Sequence, residues 1–141
     1  VDSAKEDQSL MELKELANSL RMLGKMYPQT VFLATGEQDL VLTASESFCL
    51  KNGVDSLELF TGTGDVVGAL ITGVLGSGIK PLEATIAAIT YFNVCGEKAS
   101  SVLQQGMESF RIETCNQLSK LYQENWQEML KMEDWTNEEV R

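Results

Sequence analysis

The spacing of apolar residues along the first third of the chain predicts one helix followed by short strands. In residues 9–26 apolar side chains recur every three or four positions with charged residues between them, which is typical of an amphipathic helix. The apolar run 30–34 is short, continuous and bounded by Pro28 and Gly36. Such a run is typical of a strand buried on both faces of a parallel sheet. Residues 40–43 and 47–50 then predict the two strands of a hairpin.

The remaining pattern predicts helices. Residues 66–75 form one broad apolar face interspersed with glycine, which indicates a helix buried on several sides. Pro81 suits a first helical turn, so residues 82–99 are predicted to form a second largely buried helix. Apolar and aromatic residues at helical spacing from 108 to 129 predict a long amphipathic helix, and residues 133–141 are expected to form a frayed polar tail.

The charge balance excludes several classes of partner. The chain has 21 acidic residues against 11 basic ones, no histidine and a formal charge of −10. Such a chain repels phosphate backbones and anionic lipid surfaces, so neither a nucleic-acid partner nor a membrane partner is expected. The lack of histidine excludes His-dependent triads and His-rich metal sites. A phosphate-bearing ligand would therefore depend on helix N-termini and a divalent cation.

Cysteine usage and hydropathy point to the same compartment. Cys49, Cys95 and Cys115 are scattered among apolar neighbours, which is typical of reduced thiols in an intracellular protein. The N-terminus is acidic and lacks a hydrophobic segment, and no apolar run is long enough to span a bilayer. A length of 141 residues predicts a single domain, and the protein is expected to be cytoplasmic.

The sequence FTGTGD at residues 60–65 carries the candidate chemistry. Glycines Gly62 and Gly64 allow backbone N–H groups to turn toward one point, and the helix that follows adds the positive end of its dipole. Asp65 stands at the helix start, where its carboxylate could accept a proton from a hydroxyl group. The motif therefore suggests phosphoryl transfer to an alcohol. Two alternatives remain open: an ordinary helix start, and a dinucleotide fingerprint whose third glycine, Gly68, comes one position late.

Five stretches of the chain, in this order and at similar spacings, together resemble hydroxyethylthiazole kinase. They are Thr35-Gly36-Glu37-Gln38-Asp39, Lys51-Asn52-Gly53, Thr61-Gly62-Thr63-Gly64-Asp65, Pro81-Leu82-Glu83-Ala84 and Gly106-Met107-Glu108-Ser109-Phe110. The Gly-Thr-Gly step alone is shared across the ribokinase-like superfamily, including pyridoxal and hydroxymethylpyrimidine kinases. The full constellation is specific to the hydroxyethylthiazole kinases, and the resemblance runs from Val1 to about Trp126.

The resemblance implies an α/β fold of the ribokinase-like, three-layer α/β/α type. It also implies transfer of the γ-phosphoryl group of ATP, with Mg²⁺, to the alcohol of 4-methyl-5-(2-hydroxyethyl)thiazole in thiamine salvage. By position, Thr35 matches the threonine that contacts ATP, and Gly62 matches the glycine beside the thiazole substrate. The residues themselves, a glycine-rich turn before a helix, predict that the N–H groups of Thr63 and Gly64 form the anion hole. Asp65 matches the catalytic base, where the family most often has cysteine and ribokinase-like sugar kinases have aspartate.

The resemblance covers only the C-terminal half of that family's chain. Residues 1–141 are therefore expected to be the C-terminal part of a single kinase domain, with the metal ligands outside this chain. A homotrimer with active sites between subunits is implied as well. Two other functions stay open: a catalytically silent module for structure or oligomerisation, and a kinase of the same superfamily that acts on a pyridoxine- or pyrimidine-type alcohol.

Overall fold

A four-stranded antiparallel sheet organises the fold. The computed structural model describes residues 2–138. The strands are β1 (Phe32–Ala34), β2 (Asp39–Leu42), β3 (Ser47–Leu50) and β4 (Met132–Asp134), and they lie in the order β1-β2-β3-β4. Each neighbouring pair is antiparallel, with Leu40 opposite Cys49 and Cys49 opposite Glu133. The hairpin predicted from residues 40–43 and 47–50 is therefore confirmed as β2 and β3.

The prediction of a parallel strand buried on both faces at residues 30–34 is wrong. The strand covers only Phe32–Ala34, its side chains are half-buried, and it pairs with β2 in the antiparallel direction. The chain reverses directly into β2 after β1, whereas a parallel partner needs a long crossover connection. Within residues 2–138, β1 lies at the edge of the sheet and β2 is the strand whose four residues are all buried.

Residues 2–138 also form four α-helices. They are α1 (Asp2–Met26), α2 (Thr63–Gly76), α3 (Pro81–Ala99) and α4 (Met107–Leu118). Of these, α1 and α3 pack against β2. The predicted first helix is confirmed and begins earlier than expected. The largely buried helix predicted over residues 82–99 is confirmed as α3. It has Pro81 in its first turn and packs against both α2 and α4. Its residues Ile89, Phe92 and Ala99 share the main hydrophobic core with Leu50 and Phe110.

The expected burial of α2 is wrong. The helix is present, beginning at Thr63 and ending at Gly76 rather than spanning 66–75, but Val67 is its one buried residue among those described, and Leu75 is 39% exposed. The helix is apolar around most of its circumference, and α3 covers only one side of it. A helix that is apolar all round is normally buried. Apolar surface of α2 therefore faces outward in this chain.

The C-terminal region also departs from the prediction. The long helix expected over 108–129 ends at Leu118, and two short 3₁₀ turns, Leu121–Gln123 and Trp126–Met129, follow it. In place of a frayed tail, β4 joins the sheet and Trp135 is 2% exposed. The guanidinium of Arg21 donates to the carbonyl oxygen of Trp135 at 2.8 Å. Long-range pairing thus overrides the local pattern, while residues 139–141 of the predicted tail lie outside the described residues.

The three cysteines are free thiols in different environments. Cys49 and Cys95 are buried, and Cys115 is exposed. Burial raises the pKa of the Cys49 thiol to about 11 and that of the Cys95 thiol to about 12. Because the thiolate is the reactive form, we expect iodoacetamide at neutral pH to alkylate Cys115 rapidly and the other two only after unfolding. Mass spectrometry of timed samples checks this, with urea-unfolded protein as control. Equal rates at Cys95 and Cys115 would contradict it.

Between residues 2 and 138, no helix combines the length and the apolar content that a membrane crossing requires.

Candidate active site at the start of helix α2

The glycine-rich turn before α2 directs backbone N–H groups away from the helix. Gly62 has φ 100° and ψ 0°, a left-handed conformation that turns the chain into the helix. The first helical hydrogen bond runs from the N–H of Val66 to the carbonyl oxygen of Gly62 at 3.1 Å. The N–H groups of Thr63, Gly64 and Asp65 precede that bond and therefore have no partner within the helix. Together with the helix dipole, they form a site suited to an anion.

This geometry predicts opposite outcomes for alanine at two neighbouring glycines. A Cβ atom would meet no atom within 4 Å at either Gly62 or Gly64, so available space does not distinguish them. Of these two glycines, only Gly62 has a positive φ. We expect Gly62→Ala to lower the free energy of unfolding by about 1–2 kcal/mol, and Gly64→Ala to be neutral or stabilising because alanine favours helices. Urea denaturation followed by circular dichroism measures both, and equal losses would contradict the assignment of strain to Gly62.

A cavity of about 320 Å³ lies between the start of α2, the β1–β2 turn and helix α3. Three of the five predicted site residues line it together: Thr35, Thr63 and Gly64. The sequence separation of 28 positions between Thr35 and Thr63 is closed by the hairpin and by the 3₁₀ turn Asp55–Leu59. The predicted nucleotide contact and the predicted anion hole therefore line the same cavity.

Gly62 and Asp65 are not among the residues that line this cavity. Gly62 immediately precedes the lining pair Thr63 and Gly64, and Asp65 immediately follows it in the first turn of α2. The Asp65 side chain is exposed. Asp65 is therefore next to a lining residue in the sequence, and its side chain is accessible from solvent.

A smaller cavity of about 40 Å³ adjoins the first and extends it toward Asn52 and Gly53. The two cavities share Gly36, Leu57, Glu58 and Asn93 as lining residues. The added walls carry the carboxylates of Glu37 and Asp55. The combined groove offers hydrogen-bond acceptors at one end and the N–H groups of α2 at the other, as a ligand with hydroxyl groups and a phosphate would require.

Sequence reasoning missed two polar residues in the cavity, Asp39 and Asn93. Asp39 is 4% exposed, and its carboxylate accepts hydrogen bonds from Asn93 Nδ2 at 2.7 Å and from the Gly36 N–H at 3.2 Å. Burial raises the pKa of the Asp39 carboxyl, the two hydrogen bonds oppose that rise, and the charge of Glu58 adds to it. The available signal was Asn93 itself, a polar residue inside an otherwise apolar helix pattern.

Gly53 packs closely against the side chain of Asn93. A Cβ atom at Gly53 would lie 3.2 Å from Asn93 Cγ, and Gly53 has φ +115°. Both the close approach and the positive φ require glycine at this position. The motif Lys51-Asn52-Gly53, singled out in the sequence as a turn, therefore forms part of the packing around the cavity.

Residues 2–138 contain no group of three or more histidine, cysteine, aspartate or glutamate side chains arranged to hold a metal ion. The cavity carboxylates nearest to such a role are Asp39, which is engaged by Asn93 and Gly36, and Glu58.

Comparison with known proteins decides the family. The model of the hydroxyethylthiazole kinase family matches residues 1–124. The chain belongs to the hydroxyethylthiazole kinase family. It is 48% identical over 132 residues to a hydroxyethylthiazole kinase of Enterococcus faecalis, covering 93% of this chain and 48% of the relative. A hydroxyethylthiazole kinase of Lacticaseibacillus paracasei is also 48% identical, over 135 residues, covering 94% of this chain and 48% of that relative.

A solved structure agrees with the sequence relatives. The hydroxyethylthiazole kinase protein from Pyrococcus horikoshii superposes with a TM-score of 0.73 at 28% identity, covering 92% of this chain and 49% of that one. The likeness confirms the predicted α/β, ribokinase-like fold class. The chain spans about half the length of the relatives it matches. The roles of Thr35, Gly62, Thr63, Gly64 and Asp65 stay predictions.

Proposed function

We propose that the protein containing this chain is a hydroxyethylthiazole kinase that transfers the γ-phosphoryl group of ATP to 4-methyl-5-(2-hydroxyethyl)thiazole in thiamine salvage. One observation carries the proposal. In a chain of this family, Thr35, Thr63 and Gly64 line a single cavity, and Asp65 directly follows Gly64 in the first turn of α2. A nucleotide contact, an anion site and a proton acceptor are the groups that phosphoryl transfer to an alcohol needs.

The proposed reaction is an in-line displacement. Thr35 contacts the nucleotide, and the alcohol lies beside Gly62 with its hydroxyl near Asp65. The carboxylate of Asp65 takes the hydroxyl proton as the oxygen forms its bond to the γ-phosphorus and the bond from that phosphorus to ADP breaks. The N–H groups of Thr63 and Gly64 stabilise the charge on the phosphoryl oxygens.

We propose that Mg²⁺ binds together with ATP. Mg²⁺ is typically bound by substrate phosphates, water and one or two carboxylates, and when bound it neutralises phosphate charge. The described residues do not form a cluster of three such ligands. The mechanism proposed for this chain therefore uses its own amide, hydroxyl and carboxylate groups.

We further propose that residues 1–141 supply the C-terminal part of one ribokinase-like kinase domain, and that the complete protein forms a homotrimer. The domain proposal is supported by the 48% coverage of the Enterococcus faecalis relative. The intact mass of the source polypeptide tests it, since we expect a chain about twice as long. Light scattering tests the trimer, and a monomeric mass at assay concentration would overturn it.

Steady-state kinetics of the complete protein tests the activity. ADP release with Mg·ATP is measured against the thiazole alcohol, pyridoxine and hydroxymethylpyrimidine as acceptors. We expect the highest kcat/KM with the thiazole. A higher kcat/KM with pyridoxine or the pyrimidine would keep the kinase chemistry and replace the acceptor. No ADP release with any of the three alcohols would overturn the proposal.

Exposed apolar surface favours a second candidate function, a catalytically silent interaction module. Leu10, Leu16 and Met22 on α1 and Leu75 on α2 are each between 39% and 68% exposed. Such side chains promote association. Calorimetric titration of the complete protein with Mg·ATP and the thiazole separates the candidates. Saturable heat supports an assembled site, whereas no heat together with a large mass by light scattering supports the module.

A further inference from the structure

The carboxylate of Asp39 lies in a buried position. Asp39 begins β2 and is 4% exposed, and burial of an ionised carboxylate costs free energy unless hydrogen bonds compensate. Its two oxygens accept from two different parts of the chain: Oδ1 from the Gly36 N–H in the β1–β2 turn, and Oδ2 from Asn93 Nδ2 on α3. One side chain therefore connects two elements that are far apart in the sequence.

Both partners of Asp39 line the 320 Å³ cavity, as Asp39 itself does. Gly36 directly follows Thr35, so the bond from Asp39 to the Gly36 amide restrains the backbone that carries the Thr35 side chain. Asn93 lines the same cavity from α3, beside Phe92 and Ile89. The Asp39 carboxylate joins these two parts of the cavity wall and so fixes their separation.

Asp39 also determines which way the Asn93 amide faces. An ionised carboxylate accepts hydrogen bonds and donates none, so the amino group of Asn93 must face it and the carbonyl oxygen must face elsewhere. Gly53 packs against the same side chain and restricts its movement. Asn93 is thereby presented to the cavity in one orientation.

We propose that Asp39 is a positioning residue for nucleotide binding, acting through Gly36 and Asn93 on two parts of the wall of the cavity in which the nucleotide lies. The inference rests on the proposed kinase function. It assigns to Asp39 no contact with the reacting atoms and no part in proton transfer.

Exchanging the side chains of Asp39 and Asn93 tests the proposal. In Asp39→Asn, the new amide can accept from Gly36 only through its oxygen, which turns its amino group toward the amino group of Asn93. That donor-to-donor contact forces one part of the wall to move or the Asn93 amide to rotate. In Asp39→Asn combined with Asn93→Asp, a donor again faces an acceptor and the total charge is unchanged.

Calorimetry of the complete protein gives the Kd for Mg·ATP, and steady-state kinetics gives the KM for the thiazole alcohol. We expect Asp39→Asn to raise the Kd for Mg·ATP on the order of tenfold, with the KM for the alcohol within twofold of the parent. The exchange variant should recover most of the nucleotide affinity. Asp7→Asn, an exposed substitution of the same type on α1, is the control and should leave both constants unchanged.

Hydrogen exchange of the Gly36 amide, measured by NMR, reports the bridge independently of nucleotide, and its protection should fall in Asp39→Ala, which removes the acceptor. A parental Kd for Mg·ATP in a folded Asp39→Asn overturns the inference and leaves the proposed function intact. Failure of the unsubstituted protein to bind Mg·ATP overturns both. If Asp39→Asn alone does not fold, the exchange variant decides: parental affinity supports the inference, and a folded variant with tenfold weaker binding overturns it.

Discussion

Replacing Asp65 by asparagine in the complete protein is expected to lower kcat for phosphorylation of the thiazole alcohol by about 10²- to 10⁴-fold, the usual contribution of general-base assistance. Asparagine keeps the size of the side chain and removes its ability to accept the hydroxyl proton. Because Asp65 is exposed and lies outside the cavity lining, the Kd for Mg·ATP should stay near the parental value. Rapid-quench or steady-state kinetics with a separate nucleotide titration measures the two effects.

Glu83→Gln is the matched control for Asp65→Asn. Glu83 is an exposed carboxylate in the first turn of α3, so the substitution removes the same charge from the start of another helix. Its kcat should remain within twofold of the parent. A kcat of Asp65→Asn within threefold of the parent would remove Asp65 from the role of base. An equal loss in both variants would assign the effect to overall charge.

The largest expected effect on stability belongs to Trp135. Its side chain is 2% exposed and packs in a cluster with Ala17, Leu40, Leu42 and Cys49. We expect Trp135→Ala to lower the free energy of unfolding by about 3–5 kcal/mol, because a cavity replaces a large aromatic side chain. Urea denaturation followed by circular dichroism measures the loss, and Trp126 supplies an independent fluorescence signal.

Tyr122→Ala is the control for Trp135→Ala, since Tyr122 is 66% exposed in the same C-terminal region. Its unfolding free energy should change by no more than about 0.5 kcal/mol, as is usual for surface substitutions. Trp135→Phe should fall between the two. A loss below 1 kcal/mol in Trp135→Ala would mean that residues 132–135 do not belong to the folded core.

Features set by neighbouring residues were predictable from the sequence. The left-handed turn at Gly62, the start of α2 just after it, and the placement of Pro81 in a first turn all follow from backbone preferences of single residues. The β2–β3 hairpin follows from two short apolar segments with a tight connection. The family could also be inferred from its motifs before any coordinates, while the chemistry of residues 60–65 stays a prediction.

Features set by distant residues were not predictable in the same way. The pairing of β3 with β4 joins Cys49 to Glu133, and the carboxylate bridge joins Asp39 to Asn93, 54 positions away. Periodicity measures only how a segment distributes its own apolar residues, so it could not locate these partners. The same limit explains why the prediction that α2 is buried was wrong. An apolar helix pattern indicates that the helix needs a packing partner, but it does not identify which residues pack against it.

The edge position of β1 has a consequence for how the chain behaves in solution. Among residues 2–138, β1 pairs with β2 on one side, which leaves its main-chain donors and acceptors on the other side without a strand partner. An edge strand with apolar residues such as Phe32 and Leu33 is a template for the addition of another strand. A polypeptide segment that docks there would extend the sheet by main-chain hydrogen bonds alone. A 141-residue preparation without such a segment should instead recruit copies of itself, so low protein concentration and a charged solubility tag would favour its purification.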